Sequence, residues 1–222
     1  MGIVVNDSQN LFMLQTRSNS YAFGIDNQGL VRHLYWGSRI NAMEDFEMPE
    51  LAEVSTNDPV YEITKEEFPV YGGLRYKEHC LKVTFADGTR DVAYEYVNYE
   101  IQKNEQCEEL VIILKDKHYA LVMELHYKIY EAYDLMERFV VLKNESTEVM
   151  QIEKLHSGQF HVPYEGLNFR NVHGHWGAEQ QKFVQKVDYG KIIFENRRGI
   201  SSHNHNPYFI LDQDATETTG NV

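Results

Sequence analysis

The stretch Tyr119-Ala120-Leu121-Val122-Met123-Glu124-Leu125-His126-Tyr127-Lys128-Ile129-Tyr130 decides the fold. Leu121, Met123, Leu125, Tyr127 and Ile129 fall on one side of an extended chain, and Glu124, His126 and Lys128 fall on the other. A two-residue period of this kind is a strand with one dry face and one wet face. Upstream, Leu81, Val83 and Phe85 alternate with Cys80, Lys82 and Thr84, and Asp87-Gly88 predicts a hairpin turn into a strand over Val92 to Lys103. Glu109 to Lys115 follows. Downstream, Asp134 to Lys143, the turn Asn144-Glu145-Ser146 and Val149 to Val162 continue the antiparallel order, and Gln181 to Val187 and Lys191 to Asn196 read as further strands. Near the N-terminus, Leu11 to Arg17 and Ser20 to Ile25 flank Ser18-Asn19, and Asp26-Asn27-Gln28-Gly29 turns the chain into Leu30 to Trp36, giving a three-strand meander. The helix signal amounts to one turn near Ala178 to Lys182. So many strands exceed what one open sheet tolerates, so the expectation is all-β, two packed antiparallel sheets in a single domain over residues 1–222.

Composition narrows the function. The net charge is −13, from 34 acidic against 21 basic residues, so nucleic acid and anionic membranes are repelled over most of the surface. No run approaches the roughly 20 apolar residues of a membrane span, and Met1 to Asp7 has no basic segment leading into an apolar one, which places the expected location in the cytoplasm. Cys80 and Cys107 have neither metal-ligand spacing nor disulfide density and read as reduced bystanders. Aromatics make up 13% of the chain, with 15 Tyr and 11 Phe, which suits pleated sheet and also sugar-binding platforms. No nucleotide-binding loop or serine-hydrolase elbow appears, and no cofactor is implied.

Two regions carry candidate function. Ser38 to Glu78 is long, punctuated by Pro49, Pro59 and Pro69, acidic around Glu44-Asp45-Phe46-Glu47, and weakly periodic, which marks a functional loop rather than a strand. Apolar anchors at Phe46, Leu51, Phe68, Tyr71 and Tyr76 would keep it docked. Near the C-terminus, Arg197-Arg198-Gly199-Ile200-Ser201-Ser202-His203-Asn204-His205-Asn206-Pro207-Tyr208-Phe209-Ile210-Leu211 is a tight polar turn feeding a strand. His173 with His175 and His203 with His205 have the spacing that could begin a metal site, but each pair lacks a third ligand, so no metal is expected. His203 and Asn206 are expected to bond loop backbone, with Ser202 in the same turn and Pro207 fixing the approach to the last strand. Trp36 and Trp176 sit at strand-to-Gly junctions, where a Trp more often plugs a sandwich end or an interface than stacks on sugar.

Four segments together resemble the N-terminal domain of glycoside hydrolase family 36, the bacterial α-galactosidases. They are His33-Leu34-Tyr35-Trp36-Gly37-Ser38-Arg39-Ile40, Glu67-Phe68-Pro69-Val70-Tyr71-Gly72, Gly174-His175-Trp176-Gly177-Ala178-Glu179, and Gly199-Ile200-Ser201-Ser202-His203-Asn204-His205-Asn206-Pro207-Tyr208. The resemblance implies a β-supersandwich of two large antiparallel sheets, of the galactose-mutarotase-like kind. It also implies a following (β/α)8 barrel that holds two catalytic Asp residues for a retaining mechanism, leaving no catalytic residue in this chain. The polar segment Asp214 to Asn221 followed by Val222 reads as a chain about to continue. Implied partners are that barrel, further copies in a homo-oligomer, and an oligosaccharide substrate of the melibiose and raffinose type. The Ser38 to Arg75 loop would shape the active-site mouth, with Asp45 and Glu53 as its substrate contacts. It departs from the family where Pro49-Glu50-Leu51 is followed by Ala52, putting Glu53 one position late, and where Arg75 rather than Asp precedes Tyr76. The alternative is a free-standing carbohydrate-binding or aldose-epimerase-like sandwich with its own catalytic His and Glu.

Overall fold

The computed structural model describes residues 2–43, 46–48, 64–73, 76–162, 165–197 and 204–216. They group into two compact units, residues 1–161 and 162–222. Among the described residues the regular structure is antiparallel strand apart from one 3-10 turn, Glu131–Tyr133.

The first unit is a sandwich. Its first sheet runs β1 (Ile3–Asn6), β2 (Leu11–Gln15), β3 (Asn19–Ile25), β4 (Val31–Ser38), each antiparallel to the next. The expected three-strand meander is therefore four strands, because Ile3 to Asn6 pairs in register with Leu14 to Leu11. The facing sheet is β6 (Tyr94–Lys103), β7 (Glu108–Asp116), β8 (Leu121–Tyr130), β9 (Leu135–Asn144). Strand β8 behaves as its alternation dictates, with Leu121, Met123, Leu125, Tyr127 and Ile129 buried and Glu124, His126 and Lys128 between them partly open. The buried set meets Phe12, Leu14, Tyr21 and Phe23 of the first sheet in one core. The Phe23 and Tyr127 rings stack across it at 4.8 Å, and Phe12 meets Tyr99 edge-on at 5.2 Å.

A two-stranded sheet of β5 (Leu81–Thr84) with β10 (Gln151–Leu155) extends the first layer. The seam between β4 and β5 is the returning end of the long loop. On one side the amide of His33 donates to the Lys65 carbonyl at 2.7 Å and that of Glu67 to the Val31 carbonyl at 2.9 Å. On the other, Cys80 donates to the Pro69 carbonyl at 2.7 Å and Tyr71 to the Leu81 carbonyl at 2.8 Å. Pro69 fits this seam because it needs only to accept.

The Asp87-Gly88 turn forms, closed by Gly88 N–H to the Phe85 carbonyl at 2.9 Å, but it is not a hairpin. Strand β5 pairs with β10 while β6 pairs with β7, so the turn carries the chain from one layer to the other, its flanks Phe85, Val92 and Tyr94 buried between them. Of the expected strand over Val149 to Val162, only Gln151–Leu155 pairs.

The second unit is a three-stranded sheet in the order β12-β11-β13, comprising β11 (Asn168–His175), β12 (Ala178–Lys186) and β13 (Ile210–Asp212). The helical turn expected at Ala178 to Lys182 is instead the start of β12, where pairing with β11 overrides a weak local preference. Gly174, at φ +156°, makes that tight hairpin possible, since a Cβ there would lie 2.4 Å from the Ala178 carbonyl oxygen. Residues 191–196 form no strand; Phe194 packs flat on Phe169 of β11 instead, ring centroids 5.1 Å apart.

Candidate functional site: a sealed charge cluster and an aromatic turn

The first unit buries an acid, a guanidinium, two phenols and an imidazole against one another. Glu67 lies in the seam and is fully buried. The Tyr21 hydroxyl from β3 is 2.7 Å from each of its oxygens, His33 Nδ1 from β4 is 2.9 Å from Oε1, Tyr127 from β8 donates to Oε2 at 3.1 Å, and an Arg138 nitrogen from β9 is 2.8 Å from Oε2. Both layers thus contribute donors to one carboxylate. Arg138 also donates to the backbone carbonyls of Glu67 at 2.6 Å and Gln159 at 2.9 Å, and its guanidinium lies between the rings of Tyr127 and Phe160. Gly158 is what lets it sit there, since a Cβ at that position would stand 2.6 Å from Arg138 Nε.

A β-bulge explains how β4 supplies its share. Pairing slips between Ala22 and Phe23, so Trp36 pairs with Tyr21 and His33 with Phe23. Both His33 and Trp36 then face Tyr21, at ring distances of 5.1 and 6.0 Å.

Burial alone would raise the Glu67 pKa, but the Arg138 charge, the His33 contact and the Tyr21 hydrogen bond outweigh it and hold the carboxyl below its ordinary range. Burial and the neighbouring carboxylate push both Tyr21 and Tyr127 well above theirs. Arg138 stays charged despite its burial. Here, then, an acid and an imidazole do converge, but the acid is ionised, saturated by four side-chain donors and closed off from solvent. It has no lone pair to offer a sugar hydroxyl and no proton to give.

The second unit holds the polar turn. The Asn206 backbone N–H and side-chain Nδ2 both donate to the Val172 carbonyl, at 3.1 and 2.9 Å. Asn171 Nδ2 returns the tie by donating to the carbonyls of Asn206, at 3.2 Å, and Tyr208. Pro207 lies between these two anchor points, ahead of β13. His205 bridges antiparallel to His173, with their rings 6.2 Å apart. Among the described residues no three His, Cys, Asp or Glu side chains gather where they could hold a metal ion.

Comparison with known proteins now bears on this architecture. The family model described as the glycosyl hydrolase family 36 N-terminal domain matches residues 29–222. The chain belongs to glycoside hydrolase family 36. A probable alpha-galactosidase G of Aspergillus terreus is 26% identical, over 92% of this chain and 30% of its own. The bifunctional alpha-galactosidase/sucrose kinase AgaSK of Mediterraneibacter gnavus is 25% identical, over 99% of this chain and 26% of its own. The crystal structure of alpha-galactosidase AgaB from Geobacillus stearothermophilus superposes with a TM-score of 0.84 at 23% identity, over 96% of this chain and 32% of that one, and so shares its fold. The chain therefore spans about a third or less of the length of these relatives. The all-β sandwich expected from strand alternation is the fold of the family 36 N-terminal domain.

Of the residues singled out in the sequence, Asp45, Glu53, Ser202 and His203 lie outside the described residues. Their neighbours show how the loop is held. The Ile40 carbonyl accepts from Gln15 Nε2 at 2.6 Å, its amide donates to Ser20 Oγ at 3.1 Å, and Ile40, Met43, Phe46 and Met48 cover Leu11, Met13 and Ala22 on the outer side of the first sheet. The loop thus starts on the back of the sandwich and ends in the seam at Glu67. Trp36 is partly exposed beside Phe160, at 5.5 Å, on the rim of the charge cluster. Trp176 stands 87% exposed at the tip of the β11–β12 hairpin. Sequence reading missed Arg138 and the burial of Glu67. The available signal was Arg138 itself: Met136, Val140 and Leu142 of β9 pack on the core, and Arg138 shares their register.

Proposed function

We propose that this chain is the N-terminal, non-catalytic domain of a retaining α-galactosidase acting on terminal α-galactosides of the melibiose and raffinose type. Residues 1–222 serve as one domain whose partner is a catalytic barrel in the same polypeptide. The observation that carries the reading is a conjunction: relatives about three to four times as long are named alpha-galactosidases, while the acid and imidazole in this sandwich are sealed away from any saccharide. The chemistry then belongs to the barrel, and the sandwich supports it, contributes area to a homo-oligomer and sends the Ser38 to Arg75 loop to the active-site mouth. Asp45 and Glu53 accept substrate hydroxyls there. The enzyme works in the cytoplasm.

The test is an assay of this chain on a chromogenic α-galactoside, alongside polarimetry of α-D-galactose mutarotation. Neither reaction is expected to be accelerated, and robust turnover in either would overturn the division of labour. In the longer enzyme, Glu53→Ala is expected to raise KM with kcat little changed; unchanged affinity for melibiose removes the loop contact.

A further inference from the structure

Strand β12 of the second unit pairs with β11 on one side, and among the described residues nothing pairs with its other side. The register says which backbone groups lie along that open edge. One step beyond the pair Asn168 and Lys186, the Val187 amide donates to the Leu167 carbonyl at 2.8 Å. Bonded and non-bonded pairs alternate along an antiparallel ladder, so Gln185, Phe183 and Gln181 also turn their backbone inward to β11, whereas Lys186, Val184 and Lys182 turn theirs outward. The other strand shows the same phase: the Val172 carbonyl points away from its partner Lys182 and accepts from the Asn206 amide at 3.1 Å. The N–H and C=O groups of Lys182, Val184 and Lys186 thus form an unused ladder over about 13 Å of extended chain.

The side chains of these three residues share one face of the sheet. Val184 stands opposite Arg170, which also pairs with Ile210, and both apolar residues are half exposed. A shallow groove of about 200 Å³ is lined there by Arg170, Val172, Lys182, Val184, Tyr208 and Ile210. Arg170 is committed to Asp212, but among the described residues Lys182 and Lys186 have neither an acid nor a hydrogen-bond partner. Two uncompensated cations therefore flank an exposed valine on a free edge, in a chain whose net charge is −13.

Lysines on an edge guard it against self-pairing, and two copies of β12 paired about Val184 would set Lys182 of one against Lys186 of the other. The same lysines favour a strand of the opposite charge. We propose that the open edge of β12 is a docking site for an extended acidic segment of a partner polypeptide. The segment adds as a fourth, antiparallel strand, with an apolar residue opposite Val184 and a carboxylate opposite each of Lys182 and Lys186. Main-chain hydrogen bonds supply the affinity, and the alternating side chains select the sequence. Neither a sugar nor a hydrolytic step is required, so this site stands or falls apart from the reading of the chain as a non-catalytic hydrolase domain.

Heteronuclear NMR of the chain titrated with the end-blocked peptide Thr-Glu-Thr-Val-Thr-Glu-Thr tests it. The expected result is saturable binding that slows hydrogen exchange at the amides of Lys182, Val184 and Lys186. The same peptide with Lys in place of both Glu is expected to bind about tenfold more weakly or less. The double variant Lys182→Glu/Lys186→Glu, at two exposed positions, should reverse that preference. Val184→Pro, which removes an outward N–H and no bond to β11, should abolish binding of either peptide. The proposal is overturned if the acidic peptide does not bind, if it binds without protecting these amides, or if the lysine peptide binds equally. Protection that rises with protein concentration in the absence of peptide would overturn it as well, by making a second copy the occupant.

Discussion

The substitution Glu67→Gln is the sharpest perturbation this structure offers, because it keeps the shape and removes only the charge. The side-chain carbonyl it leaves can still accept from Tyr21, but Arg138 loses its counter-ion at 2.8 Å inside the sandwich. Breaking a buried pair from one side costs about 3–5 kcal/mol, most of it the uncompensated charge left behind. Arg138 retains two backbone carbonyl acceptors, which places the expected loss at the lower end, about 3 kcal/mol. For a chain of this size that lowers Tm by about 6–12 °C, measurable by calorimetry and checked by urea unfolding at neutral pH. The pH dependence has a definite sign. The Glu67 carboxyl is held below its ordinary range in the folded protein, so its contribution is complete above the unfolded value of about 4.3 and is lost as pH falls through the depressed folded value. The parent should therefore lose stability on acidification more steeply than Glu67→Gln, and the two curves should converge. A variant within about 0.5 kcal/mol of the parent at neutral pH, or with the same acid slope, would refute the account of this cluster.

Three further outcomes follow from neighbouring geometry. Gly158→Ala puts a Cβ against an Arg138 side chain pinned by its ion pair and carbonyl bonds, so it should destabilise by about 1–3 kcal/mol in the same unfolding assay. Cys80 is buried, which pushes its thiol up to about 11, whereas Cys107 is partly open; a thiol reagent at neutral pH should modify one cysteine in the native chain and two in denaturant. Hydrogen bonds from Arg90, then Thr84 and Lys82, hold Glu153 down to about 2, so NMR titration of its carboxylate should give a midpoint near that value, and Arg90→Met should raise it. The stabilisation tied to this group is complete above the unfolded value of about 4.3 and disappears as pH falls toward 2.

The strands that could be read from sequence were those buried on one face. Strand β8 alternates because its other side is wet, and β2 to β4 are bounded by Asx and Gly turns with strong local geometry. The layer crossing at Asp87-Gly88 could not be read, because a tight turn does not state which strands pair on either side of it. Residues 191–196 look like a strand because Ile192, Ile193 and Phe194 are apolar, but it is Phe194 that finds packing partners among the rings of the second unit. Glu67 looks in sequence like one more charge in an acidic loop. Its burial depends on Tyr127, 60 residues away, and on Arg138, 71 residues away, which no local pattern encodes. The unpaired Oδ1 of Asn171 is likewise visible only once the carbonyls of Asn206 and Tyr208 have taken its amide.

A buried ion pair is a poor source of stability, since apolar residues of similar volume often do as well or better. The seam between β4 and β5 offers a reason for this one. Among the described residues it is held by the backbone bonds of His33, Glu67, Tyr71 and Cys80, and a slip by one residue would exchange Glu67 for its neighbours Glu66 or Phe68. At the observed register Glu67 meets Tyr21, His33, Tyr127 and Arg138 while Glu66 keeps its own ion pair with Lys77 at 3.0 Å, and a slip in either direction breaks one or both arrangements, so the charges select the register at which the long loop rejoins the sheet. The double variant Glu67→Gln/Arg138→Met separates the two roles: it removes both charges while leaving an acceptor for Tyr21. Its stability should recover most of what Glu67→Gln alone loses. If the pair sets register, the amides of residues 67 and 71 should nevertheless exchange with solvent faster than in the parent, while those of β7 and β8 stay protected. Equal protection across the seam would show that apolar packing of Phe68 and Val70 fixes the register without the charges.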